Sequence, residues 1–243
     1  MLIQDRNHYE KFIEKLPELE RDEVYFLSLS ARNKYLDEKE RAIFGLSKTE
    51  MFARQIAFDK DGIEYALKKM EATLTYKRTK TEKTFPEKAL VCYININPSS
   101  TIKAYRHFKI EMDRHLEEAF FASVNEKEGN FSPFHRIERN LLNEIQKATA
   151  RRCFVDIDID SGEDDRPLFE FLCFCREKGI EAFPIKTRSG FHTLMKKETI
   201  GKTNIYEKVK ELDLKCEGEV IINKNAMVPI PGTLQGGKLV KMI

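Results

Sequence analysis

The first half of the chain carries apolar residues three and four positions apart, which is the spacing of amphipathic helices. Helices are predicted over residues 9–16, 63–70 and 102–116. Apolar runs at 24–29 and 89–96 predict two strands, each of which lies between two of these helices. The second run ends in Asn97-Pro98-Ser99-Ser100, which predicts a turn followed by the N-cap of the third helix. The polar stretch 125–136 is expected to form an exposed loop.

Beyond Arg151 the pattern changes to alternating strands and helices. Two of the strands flank Arg188-Ser189-Gly190 and are expected to form a hairpin. The chain contains no internal repeat and no low-complexity linker. We therefore predict an α+β fold in a single domain, 1–243, with a helix-rich amino-terminal lobe over about 1–150 and a second lobe over about 151–243. The predicted strands are 153–159, 182–185, 191–195, 219–222 and 227–230, and the predicted helices are 166–178 and 204–212.

Composition excludes several classes of protein. Of the 243 residues, 34% are charged and 41% are hydrophobic, which is the balance of a soluble globular protein. No apolar run approaches the ~18 residues that a transmembrane helix needs. The first residues, Met1 to Arg6, lack a basic segment followed by an apolar core, so no secretory signal is predicted. We expect a cytoplasmic protein without a membrane partner.

The cysteines predict neither disulfides nor a structural zinc site. They are odd in number and widely scattered, apart from Cys173 and Cys175. That pair lies on a predicted helix, where residues two positions apart point to different faces, so core packing explains it better than metal binding does. The five residues are Cys92, Cys153, Cys173, Cys175 and Cys216.

The formal net charge is only +2, from 42 Lys and Arg against 40 Asp and Glu. Nucleic-acid-binding domains usually carry a larger basic excess, because their cations release counterions from phosphate. The bases are nevertheless clustered, since residues 66–88 hold seven of them against three acidic residues. Such a run, with Lys77, Arg78 and Lys80 at its centre, is either a solvated helix face with its following loop or a contact surface for nucleic acid.

Two aspartates on the predicted strand 153–159 carry the strongest chemical signal. Asp156 and Asp158 project from one face, whereas Val155 and Ile157 occupy the other. Burying carboxylates without partners is costly, and a divalent cation such as Mg²⁺ or Mn²⁺ would remove that cost. The alternative is an edge strand whose acidic face is in water.

The predicted turn at Ser189-Gly190 has groups that suit a triphosphate. It offers backbone N–H groups and a hydroxyl, and it is flanked by two cations and a histidine. A plain hairpin turn with a surface histidine is the alternative. The flanking residues are Lys186, Arg188 and His192.

The carboxyl-terminal segment holds further polar groups. Glu217 and Glu219 lie at the start of a predicted strand, and Lys224-Asn225 follows it. The glycine-rich stretch 231–237 precedes Lys238. Glycine lets the backbone approach a ligand closely and lysine supplies a point charge for phosphate, but an ordinary loop is equally compatible with the stretch.

Three motifs follow one another along the chain: a hydrophobic-Asp-hydrophobic-Asp strand, a Ser-Gly-x-His turn and a third carboxylate upstream of Pro-Gly-Thr. In this order they resemble the motifs of the archaeo-eukaryotic primase superfamily, whose members are primases and primase-polymerases. The resemblance covers about 156–238, and Asn97–Ser100 before a long helix is similar to the family's amino-terminal module. Among the branches, the chain most resembles the compact CRISPR-associated primase-polymerases. The resemblance implies an RRM-like mixed or antiparallel sheet that carries the active site, beside the helix-rich lobe.

Carried over by residue, the resemblance implies that Asp156, Asp158 and Glu217 hold two Mg²⁺ or Mn²⁺ ions. It assigns Ser189 and His192 to the nucleotide-phosphate motif. The family's third carboxylate is usually Asp, and Glu219 is the alternative here; Glu217 is preferred for its interval to the Pro-Gly-Thr motif. Asp158 and Asp160 also fit the aspartate pattern, although three apolar residues before Asp156 favour the first pair. Further candidates for contact with the triphosphate are Lys186, Arg188, Gly190 and Lys238.

The implied activity is DNA-dependent nucleotidyl transfer, in which primers are synthesised de novo and extended on a template. The implied partners are a single-stranded DNA template and primer, dNTPs or NTPs and, for the CRISPR branch, adaptation proteins. Lys77, Arg78 and Lys80 are expected to contact the template, with Phe131, Phe134 and His135 as base-stacking residues or loop anchors. The alternatives are a metal-dependent nuclease and a catalytically silent nucleic-acid-binding subunit.

Overall fold

The computed structural model describes residues 2–44, 48–74, 86–125, 127–162, 164–223 and 227–243. Within these ranges the chain is α+β, with two antiparallel sheets and eight α-helices. Along the chain the elements are α1 (Arg6–Lys15), β1 (Glu23–Arg32), α2 (Glu38–Phe44), β2 (Thr49–Ala57), α3 (Lys60–Leu74), β3 (Leu90–Asn95), β4 (Ser99–Ser100), α4 (Thr101–Val124), α5 (Ile137–Lys147), β5 (Phe154–Asp160), α6 (Arg166–Glu177), β6 (Ala182–Lys186), β7 (Phe191–Lys196), α7 (Lys197–Ile200), α8 (Ile205–Lys215), β8 (Glu219–Asn223), β9 (Met227–Pro229), β10 (Leu234–Gln235), β11 (Lys238–Leu239) and β12 (Lys241–Met242).

The first sheet has the strand order β11-β10-β3-β1-β2, with β4 paired to β1 and β9 paired to β3. One face is covered by α1 and α3, whose apolar residues recur at helical spacing and are buried, as at Phe12, Ile63 and Leu67. The same core cluster includes Phe154 and Leu194 from the second sheet. The two sheets therefore share one hydrophobic core.

The second sheet has the order β12-β6-β7-β5-β8, and every neighbouring pair is antiparallel. Apart from the one-turn helix α7 after β7, its elements from β5 to β8 follow the sequence β5-α6-β6-β7-α8-β8, which is the β-α-β-β-α-β arrangement of ferredoxin-like folds. Helices α6 and α8 cover one face, where Phe171 and Leu212 pack against Ile157 and Ile159. The opposite face is directed towards the first sheet.

Most elements predicted from the sequence are confirmed, including the hairpin of β6 and β7. The N-cap at Ser100 is also confirmed, because its hydroxyl accepts a hydrogen bond from the Lys103 N–H at 3.1 Å. Four elements of the amino-terminal lobe were not predicted: α2, β2, the two-residue strand β4 and α5. The lobe therefore contains a larger sheet than its helical periodicity indicated. Strands β9, β10 and β11 return to that sheet, so the boundary near residue 150 separates the two sheets incompletely.

The structure also bears on the predictions made for the cysteine pair, for a membrane-spanning helix and for the template contacts. Cys175 is buried in the core while Cys173 is exposed, which confirms that the two point to different faces of α6. In the described ranges, no helix is both long enough and apolar enough to cross a membrane. The predicted template contacts Lys77, Arg78 and Lys80, and the pair Lys224-Asn225, lie outside the described residues.

Candidate active site

The aspartates of β5 lie on the face of the second sheet that is directed towards the first. Strand β5 is flanked by β7 and β8, so the alternative of an edge strand with a wet acidic face is excluded. Asp156 has no exposed surface, the Asp158 side chain is about one third exposed at 35%, and Asp160 is exposed. The predicted alternation is confirmed, because Ile157 and Ile159 pack on the helix side.

The buried carboxylate of Asp156 is held by a group from each neighbouring strand. Nδ1 of His192 on β7 lies 3.0 Å from Oδ2 and 3.2 Å from Oδ1. Nδ2 of Asn223 on β8 donates to Oδ2 at 3.0 Å. Asn223 pairs directly with Asp156 in the β5–β8 register, which places both side chains on one face. A fully buried anion therefore has two polar partners.

His192 lies between the two aspartates. Its Nε2 is 3.9 Å from Oδ1 of Asp158, while its Nδ1 contacts Asp156. Burial lowers the pKa of His192, but the charge and hydrogen bond of Asp156, together with the charge of Asp158, outweigh burial and raise it overall. Burial also raises the pKa of Asp158, and the nearby charge of Asp156 raises it further, whereas His192 lowers it. The imidazolium thus balances part of the negative charge of the aspartate pair.

The Ser189-Gly190 turn lies beside the end of β5. Thr187 donates its N–H and its hydroxyl to the Gly190 carbonyl, at 2.9 and 3.0 Å, and the Gly162 N–H donates to the Ser189 carbonyl at 2.8 Å. A Cβ at Gly190 would overlap the carbonyl oxygen of Ile159, so glycine is required for this close approach. The turn is therefore fixed to the strand that carries the aspartates.

One cation of the first lobe, Lys34, is influenced by the acidic face. The pKa of Lys34 is lowered by burial and by the charges of Arg32 and Arg188, while Asp160 and Asp158 raise it. On the β6–β7 turn, Arg188 stacks its guanidinium 4.8 Å from the centre of the Tyr35 ring, donates its N–H to Oε1 of Gln235 at 3.1 Å and donates Nη1 to the Gly236 carbonyl. Arg188 therefore joins its turn to the first lobe, and Lys34 brings positive charge near Asp158 and Asp160.

Of the predicted triphosphate contacts, one lies on the opposite face of the second sheet and another lies on the first sheet. Lys186 pairs in register with Phe191, and its Nζ lies 5.1 Å from the centre of that ring and 3.5 Å from Asp165, so it is on the helix side of the second sheet, opposite His192. Lys238 is exposed on β11, the edge strand of the first sheet. The structure does not bring Lys186 to the aspartate face.

The two candidate glutamates occupy different environments. Glu219 pairs with Asp160 in the β5–β8 register, so it shares the face of the aspartates. Glu217 lies in the exposed turn before β8. The pKa of Arg166 is raised chiefly by its hydrogen bonds to Asp164, and the charge of Glu217 adds to the effect, which places Glu217 near the start of α6.

The predicted base-stacking residues belong to the loop between α4 and α5. Phe131 is half exposed, and its ring lies 6.3 Å from that of Phe134 in a tilted arrangement. His135 follows in a short 3-10 helix, Phe134–Arg136. The two rings anchor each other, and in the described part of the chain none of the three side chains forms a hydrogen bond or ion pair with the aspartate face.

Sequence reasoning missed Asn223, Arg32 and Lys34. The predicted strand ended at Ile222, one residue before Asn223, although Glu219, Ile221 and Asn223 alternate with apolar residues and so share a face. Arg32 and Lys34 follow an apolar strand and carry no motif. Only the packing of the two lobes brings Lys34, with Arg32 beside it, near Asp158 and Asp160.

The carboxylate oxygens at this face are the type of ligand that a hard divalent cation prefers. Asp156 and Asp158 offer adjacent carboxylates, and oxygen ligands of this kind suit Mg²⁺ or Mn²⁺. In the arrangement described, His192 occupies the space between the two carboxylates. Among the residues that the structure describes, no group of three or more His, Cys, Asp and Glu side chains is positioned to hold a metal ion.

Comparison with known proteins suggests no function for this chain, so a function can be proposed only from the geometry of the site. Searches against protein-family models, curated proteins and solved structures find no match to this chain.

Proposed function

We propose that the chain is a template-directed nucleotidyltransferase of the primase-polymerase type, acting on DNA with nucleoside triphosphates. One observation carries the proposal: two aspartates on a central strand contact a histidine from the adjacent strand, beside a Ser-Gly turn, and the charges of Asp158 and Asp160 act on Lys34 of the first lobe. A triphosphate bound with divalent cations needs both signs of charge within one site. This arrangement supports the resemblance to the archaeo-eukaryotic primase superfamily, and a two-lobed primase core is part of the proposal.

Asp156 and Asp158 would hold the metal ions, with Glu219 or Glu217 as a third carboxylate. When bound, the ions would activate the attacking 3′-hydroxyl and neutralise the leaving pyrophosphate. Of the two glutamates, the register favours Glu219, because it is on the same face as the aspartates. The hydrogen bonds of Asn223 and His192 orient the Asp156 carboxylate, as the outer groups of a metal site do.

The triphosphate would be bound by groups on both lobes. Nδ1 of His192 is held by Asp156, so its Nε2 can donate to a phosphate oxygen. The Ser189 hydroxyl and the Arg188 guanidinium lie on the turn that follows β6. Arg32 and Lys34 would approach from the first lobe and balance the phosphate charge.

The near-neutral net charge of +2 implies weak binding of the template. We expect the affinity for DNA to fall as salt rises, because contacts with phosphate release counterions, and to increase when metal and nucleotide are present. Tight, metal-independent binding of DNA would argue for the nucleic-acid-binding subunit instead.

Charge-neutralising variants of the aspartates test the proposal. Asp156→Asn and Asp158→Asn keep the side-chain size, and each is expected to abolish both primer extension and de novo dinucleotide formation with Mg²⁺ or Mn²⁺. Asp164→Asn is the matched control, because that carboxylate pairs with Arg166 at the start of α6. Synthesis retained by both folded variants would contradict the proposal, and metal-dependent shortening of labelled DNA without nucleotides would identify a nuclease.

A further inference from the structure

Helix α4 is the longest helix in the described part of the chain and packs through a narrow face. Ala104 and Ala119 are buried against its neighbours, and Phe108 and Met112 are half-buried on the same side. With 24 residues, the helix is about 36 Å long. Most of its circumference therefore faces outward along this whole length.

The outward surface carries large apolar side chains. Seven of them are between 53% and 64% exposed, which is unusual for one helix of a globular protein. They are Ile102, Tyr105, Ile110, Leu116, Phe120, Phe121 and Val124. Exposing such an apolar surface to water costs free energy, which is recovered when another surface packs against it.

A single line of residues runs along this surface, and we call it the α4 seam. Its members are spaced by three or four positions and repeat after eleven residues, which is the spacing of nearly straight helices that pack side by side. Apolar residues occupy both ends and a base and an acid occupy the middle. The seam consists of Ile102, Tyr105, Lys109, Asp113, Leu116, Phe120 and Val124.

The charges on the seam and directly beside it are separated by sign. Arg106 and Lys109 lie in the first half of α4, and Asp113 and Glu117 lie in the second. None of these four side chains forms an ion pair with another described residue. On the flank of the same helix, by contrast, Arg114 pairs with Glu111 at 2.6 Å. The seam charges thus remain available to a partner.

We propose that the α4 seam is the interface of a homodimer, in which α4 pairs antiparallel with α4 of a second copy about a two-fold axis. This orientation places Lys109 opposite Asp113 of the second copy and Arg106 opposite Glu117. The same register places Ile102 opposite Phe120 and Tyr105 opposite Leu116. The two-fold axis repeats each contact, so the surface is complementary to itself.

A parallel pairing is disfavoured by the same residues. It would set bases against bases in the first half of the helix and acids against acids in the second. Charges in the middle of a helical interface add little affinity but specify orientation and register. The seam therefore selects a second copy of this chain over an unrelated apolar helix. No seam residue belongs to the candidate active site, so the inference does not depend on the proposed function.

Sedimentation equilibrium over a range of protein concentrations tests the dimer. The unmodified chain is expected to dimerise. Asp113→Lys makes the centre of the seam entirely basic and is expected to raise the dimer dissociation constant by about tenfold or more. Lys109→Asp combined with Asp113→Lys exchanges the charges and is expected to restore dimerisation. Glu111→Lys, with the same charge change on the flank of α4, is the matched control and should leave the constant unchanged.

Each other outcome contradicts the proposal. A chain that remains monomeric at every concentration has no such interface. Dimerisation that survives Asp113→Lys, or that the exchanged pair fails to restore, excludes the antiparallel register. Circular dichroism of each variant establishes that α4 is still folded, and Phe120→Glu tests the apolar end of the seam independently of the central charges.

Discussion

At the residue scale, Asp156 is the side chain on which the candidate site depends. It has no exposed surface, so its charge must be balanced by neighbouring groups rather than by water. His192 provides an ionisable partner and Asn223 a neutral one, from the strands on either side. This pairing explains how a carboxylate can be buried at a strand centre before any cation binds.

The contribution of Asn223 can be measured by removing its amide. Asn223→Ala leaves Oδ2 of Asp156 with one donor fewer, and a buried charged group that loses a hydrogen bond costs about 1–3 kcal/mol in the free energy of unfolding. Urea denaturation measures this loss. Asn204→Ala is the control, because Asn204 caps α8 without a side-chain hydrogen bond. Equal effects of the two substitutions would show that the Asn223 amide does not support Asp156.

At the scale of elements, the pairing of β5 with its neighbours decides which side chains share a face. The alternation of apolar and acidic residues in β5 was sufficient to predict the aspartate face, and the Ser-Gly turn was sufficient to predict the β6–β7 hairpin. The register between β5 and β8 could not be predicted, because it depends on which residues pair across a long connection. Asn223 and the position of Glu219 both follow from that register.

Strand β2 shows a second limit of sequence reasoning. Glu50, Arg54 and Gln55 interrupt its apolar residues, and most of its side chains are only half-buried. Its extended conformation is stabilised by pairing with β1 rather than by a clear alternation of its own. The position of Lys34 near Asp158 and Asp160 likewise depends on a contact that no local pattern encodes, the packing of both lobes.

The register predicts which glutamate matters more for synthesis. Glu219→Gln is expected to reduce nucleotide incorporation by about tenfold or more, as loss of a group near a metal site does, whereas Glu217→Gln should have little effect. Primer-extension rates at saturating Mn²⁺ measure the difference. A larger loss in Glu217→Gln would mean that the turn before β8 reaches the site and that the interval to the Pro-Gly-Thr motif was the better guide.

The contact between α1 and α3 has a predictable dependence on pH. Hydrogen bonds from Arg6 and then from Lys68 lower the pKa of Glu64 from 4.5 to about 2. Because the folded state binds this proton less readily, Glu64 stabilises the fold above its ordinary pKa, and the stabilisation is lost as pH falls towards 2.

Glu64→Gln is therefore expected to lower the free energy of unfolding near neutral pH by about 0.5 kcal/mol, since the ion pairs are partly exposed. The difference from the unmodified chain should shrink as pH falls below 4.5. Denaturation at several pH values checks this, with Glu14→Gln as a control on the exposed side of α1. A difference that grows on acidification would contradict the assignment.

At the scale of the whole molecule, the lobes are joined by polar contacts as well as by the shared core. Oδ1 of Asn97 accepts the N–H groups of Cys153 and Phe154 at 2.8 and 2.9 Å, and its Nδ2 donates to the Phe154 carbonyl at 3.1 Å. Arg151 pairs with Glu23 of β1 at 2.9 Å. The segment predicted only as a turn and N-cap thus also fixes the start of the aspartate strand.

Replacing Asn97 should loosen this connection. Asn97→Ala leaves two N–H groups and a carbonyl of a buried segment without that partner, which is expected to cost about 2–4 kcal/mol in the free energy of unfolding. Nucleotide incorporation should fall as well, because β5 would be held less firmly against the first lobe. Thermal unfolding and primer extension on the same preparation test this. Normal stability would mean that the shared core alone holds the lobes together.

A crystal of the chain soaked with a nucleoside triphosphate and Mn²⁺, with the metal located by anomalous scattering, tests the proposed metal site most directly. We expect Mn²⁺ bound to the carboxylates of Asp156 and Asp158, with the triphosphate against Ser189 and His192. Mn²⁺ or nucleotide bound elsewhere, with His192 still between the two aspartates, would contradict the proposed site.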